Sequence, residues 1–173
     1  MLTRLHNRLG GRSVWLIGFL ACSGAMAFAL YLEHVVGLEP CPMCVFQRVA
    51  MIFTGLVFLL GMLISPKGGW SWLVAGLAAA GASAGAFVAG RHVWLQNLPE
   101  DQVPACGAGL EAMMSMFPLQ DVVRLVLTGD GNCAKIDTSL FGLSLPAWTF
   151  IGFAALLLWA IVAVVVNRRG DAL

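Results

Sequence analysis

Charge is what this chain has least of. Only 11% of its 173 residues are Asp, Glu, Lys or Arg, against about 25% in an ordinary soluble domain. The net charge is +1, which excludes nucleic-acid binding through bulk charge, and with 60% hydrophobic residues a disordered tail is excluded too. Five cysteines in 173 residues are too few for a mini-protein held by dense disulfides. The three histidines, His6, His34 and His92, all fall at the ends of apolar runs, so none lies where a haem-carrying bundle needs its ligands. Apart from Arg48 near one edge, the apolar runs hold no ionisable group of the kind a transporter or channel keeps near the midplane. What remains is apolar surface that a small domain has no room to bury, with a mean hydropathy of +0.86. The composition is that of a membrane protein.

Four charge-free stretches set the architecture. Val14 to Leu32 spans 19 residues, Val49 to Ile64 spans 16, Trp70 to Gly90 spans 21 and Leu143 to Val166 spans 24. A hydrocarbon core about 30 Å thick takes about 20 residues of helix, so Val45 and Phe46 are expected to extend the second stretch. The expected fold is all-α: one membrane domain over residues 1–173, a four-transmembrane-helix bundle with spans at about 14–32, 45–64, 70–90 and 143–166. Loops at about 33–44 and 91–142 lie on one side, and the termini share the other. Gly81 and Gly85, four apart among many alanines, give the third span a smooth face for close helix packing.

Orientation follows from the basic residues. Arg4, Arg8, Arg12, Lys67, Arg168 and Arg169 share one side with a single acid, Asp171, whereas Arg48, Arg91, Arg124 and Lys135 share the other with eight acids. Lys and Arg are retained on the cytoplasmic side, so the termini are expected there and both loops on the exoplasmic face. The basic start followed by Ala25-Met26-Ala27 also permits a cleaved signal peptide, although its apolar run exceeds the 7–15 residues usual for one. Cleavage would move neither loop.

Within the long loop, Pro118 suits the first turn of a helix. Leu119, Val122, Val123, Val126 and Leu127 then recur at helical spacing opposite Gln120, Asp121, Arg124 and Thr128. A short amphipathic helix in the bilayer interface is expected, with packing onto the bundle top as the alternative. Met113, Met114 and Met116 read as adaptable apolar contacts rather than a copper site.

Cys41, Cys44, Cys106 and Cys133 fall in the exoplasmic loops or at their edge, and Cys22 lies mid-span as inert packing. Four cysteines allow three pairings. Because Cys41 and Cys44 are near neighbours, Cys41–Cys44 with Cys106–Cys133 is the simplest. Cys106 and Cys133 sit in Gly-rich sequence and read either as a staple or as an exposed, exchangeable disulfide. Zinc would have to recruit them, and at 27 residues apart they do not form the second close pair of a zinc ribbon. No metal site is expected.

Cys41-Pro42-Met43-Cys44 is more specific, because a Cys-x-x-Cys ring opens and closes readily. Pro40 and Pro42 are expected to hold it out of the helix, with the second span starting at Cys44 or Val45. Cys44 would then sit at a helix N-terminus, where the backbone dipole favours a thiolate. Arg48, one turn deeper on the same face, would stabilise negative charge on that sulfur or on an acceptor beside it. His92 and Gln96 share a face at the same level, and His92 can hydrogen-bond a carbonyl oxygen and deliver a proton. The chain carries no haem, flavin or nucleotide motif to take two electrons from a dithiol. A lipid-soluble quinone is the obvious sink.

These features together resemble the disulfide bond formation protein B (DsbB) family of bacterial inner-membrane, quinone-dependent thiol oxidoreductases. The resemblance rests on the four spans, Pro40-Cys41-Pro42-Met43-Cys44 with Gln47-Arg48, Arg91-His92-Val93-Trp94-Leu95-Gln96, Pro104-Ala105-Cys106, Gly131-Asn132-Cys133-Ala134, and Phe141-Gly142-Leu143-Ser144-Leu145-Pro146. It covers nearly the whole chain, and only the Pro-Met pair inside the Cys-x-x-Cys is variable ground.

The resemblance implies a protein-disulfide:quinone oxidoreductase in the bacterial inner membrane, with cytoplasmic termini and periplasmic cysteines. Reduced DsbA, a soluble periplasmic thiol oxidase, would attack the Cys106–Cys133 disulfide and form a mixed disulfide with Cys106. Electrons would pass to Cys41–Cys44 and then to ubiquinone or menaquinone. Arg48 would stabilise the thiolate–quinone adduct and His92 would line the quinone pocket. The route from DsbA through DsbB to quinone is the one that keeps the periplasm oxidising. Two alternatives stay open: a paralogue serving a dedicated DsbA-like partner, and a disulfide- or zinc-stapled structural membrane module.

Overall fold

The computed structural model describes residues 2–103, 110–129, 131–134 and 139–171. Four helices dominate: α1 (Leu2–His34), α2 (Pro42–Ile64), α3 (Gly69–Gln96) and, after three short helices α4 (Leu110–Met116), α5 (Leu119–Thr128) and α6 (Gly131–Ala134), α7 (Leu145–Asp171). All four are long and apolar enough to cross a membrane. The chain is an all-α, multi-pass membrane protein. Leu20 on α1, Leu56 on α2, Phe87 on α3 and Leu158 on α7 each leave more than half their surface exposed, an arrangement that lipid solvates and water does not.

The bundle closes as a ring, each helix packed on its neighbour in sequence and α7 returning against α1 and α3. Trp15, Phe58 and Phe153 fill its centre among Ala78, Ala82, Ala89 and Ala160. Gly81 and Gly85 act as their spacing predicts. A Cβ on Gly81 would lie 2.6 Å from the Thr54 hydroxyl, and one on Gly85 would overlap the Phe153 ring. The missing side chains let α2 and α7 approach α3 closely. The Thr54 hydroxyl, buried between helices, donates to the Ala50 carbonyl at 2.8 Å. Trp159 Nε1 donates to the Val14 carbonyl at 2.9 Å and ties α7 to α1. Cys22 is buried in this core, as expected of inert packing.

Every span runs past its charge-free stretch, since helical hydrogen bonding does not stop where side chains become charged. Two boundaries differ in kind. Helix α2 begins at Pro42 rather than at Cys44 or Val45, because proline, lacking an N–H, fits the first helical turn and starts the helix instead of delaying it. Helix α7 begins at Leu145 rather than Leu143. Leu143 and Ser144 pair antiparallel with Leu140 and Ser139 as strands β2 and β1, across a turn in which Phe141 and Gly142 both have positive φ, 53° and 81°.

Above the ring end that carries the Cys-x-x-Cys, a second apolar cluster joins Met43, Val88, Leu95, Met113, Val122, Val126 and Cys133. The apolar stripe of α5 is divided. Val122 and Val126 are buried against the bundle while Leu119 and Leu125 stay exposed, so the helix caps the bundle top and presents only its flank outward. Met113 is buried beside it, whereas Met114 and Met116 are exposed. Arg91 fixes the far end of α5: Nε donates to the Leu127 carbonyl and Nη2 to the Thr128 carbonyl, both at 3.1 Å. The same guanidinium lies 4.0 Å from the centre of the Trp94 ring.

Candidate redox site at the bundle end

The site is built from the N-terminus of α2, the last turns of α3 and the short helix α6. Cys41 is the N-cap residue of α2, and its Sγ accepts the Cys44 backbone N–H at 3.4 Å. Sulfur here takes the place of the serine or aspartate oxygen that ordinarily caps a helix. The turn brings the two sulfurs together, with the Cys41 thiol donating to Cys44 Sγ at 3.0 Å. Helix-starting proline and sulfur cap together hold the Cys-x-x-Cys as one rigid turn.

His92 stands opposite because α3 continues to Gln96, beyond the charge-free stretch. It is 3% exposed. Its Nε2 lies 3.1 Å from the Cys133 carbonyl oxygen and 3.8 Å from Cys41 Sγ, and its Nδ1 lies 3.2 Å from Gln47 Nε2. These partners define the tautomer: Nε2 carries the proton and donates to the carbonyl, while Nδ1 accepts from the Gln47 amide.

Cys133 departs from expectation. Its Gly-rich setting predicts an exposed, mobile thiol, yet it is 1% exposed, and its Sγ lies within 4.8 Å of both Cys41 Sγ and a ring nitrogen of His92. The cause is α5, which pulls the following segment over the bundle top. Gly129, at φ 103°, passes so close that a Cβ there would meet the Leu95 side chain at 2.7 Å. Cys106, and with it the expected Cys106–Cys133 pairing, lies outside the described residues.

The thiols are electrostatically unequal. Cys41 donates toward both Cys133 and Cys44 and is pushed well above the ordinary thiol range, by those bonds first and by burial next. Cys133 is pulled down to about 7, chiefly because the Cys41 thiol bonds to its sulfur, and burial opposes the shift. Cys41 therefore holds its proton more tightly than Cys133 does.

Arg48 also departs from expectation. Instead of contacting the sulfur one turn above it, the guanidinium reaches across to α1. Nη1 forms an ion pair with Glu33, and Nη2 donates to the Ala29 carbonyl at 3.3 Å. Arg48, Cys44, Gln47, His92 and Gln96 nevertheless line one cavity of about 290 Å³, closed on its other side by apolar residues including Trp148. Two participants escape a reading from sequence. Glu33 precedes Arg48 by a loop and a helix start, and no periodicity links them. Gln47 was visible beside Arg48, but only the distance to His92 gives it a task.

Four apolar helices with three thiols and an imidazole gathered at one end define a membrane protein of thiol–disulfide chemistry. Residues 11–163 match the family model described as disulfide bond formation protein DsbB. The chain is 48% identical over 169 residues to "Disulfide bond formation protein B" of Chromohalobacter salexigens, covering 94% of this chain and 98% of that one. Its identity is 47% to the protein of the same name from Hahella chejuensis, over 88% and 93% of the two chains. For the Xanthomonas campestris protein it is 44%, over 90% and 91%. The chain belongs to the DsbB family and has that family's disulfide-forming oxidoreductase role.

Proposed function

We propose that this protein reoxidises a DsbA-like periplasmic dithiol oxidase and passes the two electrons to a membrane quinone, ubiquinone or menaquinone. The observation that carries this reading is the cavity: it is apolar on one side, offers Arg48, Gln47 and His92 on the other, and has Cys44 in its wall. A quinone ring and its isoprenoid tail suit that division, and a bound quinone supplies a two-electron, two-proton acceptor.

The residues act in sequence. The partner's thiolate attacks the Cys106–Cys133 disulfide at Cys106 and frees Cys133. Cys133, beside Cys41, attacks the Cys41–Cys44 disulfide at Cys41 as its thiolate and releases Cys44 as a thiolate at the cavity. Arg48, held by Glu33 at the cavity wall, would stabilise negative charge on an acceptor bound there. His92 holds the Cys133 backbone and supplies the only buried imidazole proton beside the cysteines among the described residues. The partner's second thiol displaces Cys106 and completes the partner's disulfide. Cys106 attacks the Cys41–Cys133 bond at Cys133 and frees Cys41, and the Cys41/Cys44 dithiol returns to its disulfide as the quinone takes its two electrons and two protons. Overall, one partner dithiol becomes a disulfide and one quinone becomes a quinol. The distribution of basic residues supports cytoplasmic termini and cysteines on the opposite, periplasmic side, and the family role suits the bacterial inner membrane.

The test uses purified full-length protein with reduced DsbA and a soluble ubiquinone analogue. Quinone reduction stoichiometric with DsbA oxidation is expected. Cys133→Ala should halt turnover and accumulate a mixed disulfide through Cys106, and normal turnover by that variant would refute the relay.

A further inference from the structure

We propose that the fully reduced site binds one zinc ion through the thiolates of Cys41, Cys44 and Cys133 and Nε2 of His92. Sequence spacing argued against metal, because Cys106 and Cys133 make no second close pair. Tertiary structure supplies a different set. The ligand atoms of Cys41, His92 and Cys133 all lie within 4.8 Å of one another, and Cys44 Sγ is 3.0 Å from Cys41 Sγ. In a tetrahedral site with Zn–S about 2.3 Å and Zn–N about 2.0 Å, ligand atoms stand about 3.5–3.8 Å apart. The Cys41 to His92 separation of 3.8 Å already meets this. The other spacings among Cys41, His92 and Cys133 need shifts of about 1 Å at most, and the Cys41 and Cys44 sulfurs must part by about 0.8 Å, with Cys44 completing the set from the same turn.

Three further features favour the site. The ligands come from separate elements, α2 with its cap, α3 and α6, so packing largely pre-forms the cluster. Gln47 lies against the remote ring nitrogen of His92, the outer-shell position that orients metal-binding histidines. Ligation at Nε2 moves the ring proton to Nδ1, which donates to Gln47 once its amide turns to present oxygen, and the Cys133 carbonyl gives up its bond from the ring. The cavity beside Cys44 gives the ion a route in.

Binding involves no oxidation. Three thiols lose protons to solvent, and the complex of Zn²⁺ with three thiolates carries one net negative charge. Disulfides offer no such ligands, so zinc and oxidation compete for the same sulfurs, and zinc holds the reduced protein out of turnover. This holds whichever acceptor takes the electrons.

The experiment titrates Zn²⁺ into fully reduced full-length protein against a chromophoric chelator, with Co²⁺ as a spectroscopic substitute. One equivalent is expected, with thiolate-to-cobalt charge-transfer absorption and a tetrahedral cobalt spectrum. Cys133→Ser and His92→Ala should each weaken binding by about tenfold or more, and Gln47→Leu by about tenfold. Cys22→Ala, Cys106→Ala and the wild-type affinity should agree, and oxidised protein should bind no equivalent. Undiminished affinity in Cys133→Ser, a loss that follows Cys106 instead, or no stoichiometric binding would overturn the proposal. If His92→Ala does not fold, the cobalt spectrum of Cys133→Ser decides. No partner or quinone is present, so failure here leaves the redox reading standing.

Discussion

The ring nitrogen Nε2 of His92, on α3, lies 3.1 Å from the carbonyl oxygen of Cys133, on α6. A side chain rooted in the bundle thus holds the backbone of a four-residue helix whose thiol would otherwise ride on a Gly-rich segment. The same end of α3 carries Arg91, which grips α5 through its last carbonyls. One helix therefore sets the position of the whole cap over the Cys-x-x-Cys.

Arg91→Ala removes two hydrogen bonds and a ring contact from that cap. The expected loss is local, about 1–2 kcal/mol, read as about tenfold faster amide hydrogen exchange or more over residues 119–134. Exchange in the membrane-spanning parts of α2 and α7 should not change. Uniform acceleration across the protein would show that Arg91 serves the bundle rather than the cap.

Under the proposed function, Arg48→Ala should raise the KM for quinone by about tenfold or more, the equivalent of a charge-assisted hydrogen bond of about 1.5–3 kcal/mol. The KM for the reduced partner should stay put. Glu33→Gln keeps an acceptor for the guanidinium and should give a smaller rise. Steady-state kinetics with each substrate varied in turn checks both, and equal effects on the two KM values would count against a role at the cavity.

Cys133 has a depressed pKa, about 7, so its thiolate prevails above that pH and is lost as pH falls through it. In reduced protein, the far-ultraviolet thiolate absorbance that disappears in Cys133→Ala should titrate with a midpoint near this value. Removing the donor with Cys41→Ala should return the midpoint toward the ordinary thiol value of 9.0. A midpoint insensitive to Cys41 would remove the hydrogen bond as the cause.

Gly85→Ala puts a methyl group into the ring of Phe153. Overpacking of this kind costs about 1–3 kcal/mol, and thermal unfolding in detergent should show the loss. Phe153→Leu in the same chain should recover part of it. A second substitution that merely adds its own cost would mean that α3 and α7 do not meet there.

Much of the architecture is legible in the sequence because a bilayer imposes simple rules. Each span needs about 20 apolar residues, so the four charge-free runs predict four helices, and Gly81 and Gly85 mark where α3 is approached. The Cys-x-x-Cys is legible for a similar reason, since its ring is closed by two intervening residues and needs nothing from elsewhere. Pro42 misleads because one residue both breaks helices from inside and starts them at the first turn; the choice depends on the Cys41 cap that precedes it.

What sequence spacing does not reach is every contact between elements. Glu33 finds Arg48 across α1 and α2, Gln47 finds His92 across α2 and α3, and Cys133 comes to Cys41 over a separation of 92 residues, through packing of Val122 and Val126 that no local pattern specifies. Composition and periodicity determined that this chain is a four-span thiol protein, because lipid and helix geometry act on each segment independently. Which thiol faces which, and which charge answers Arg48, only the tertiary structure decided, because side chains distant in sequence meet only once the bundle and its cap have closed.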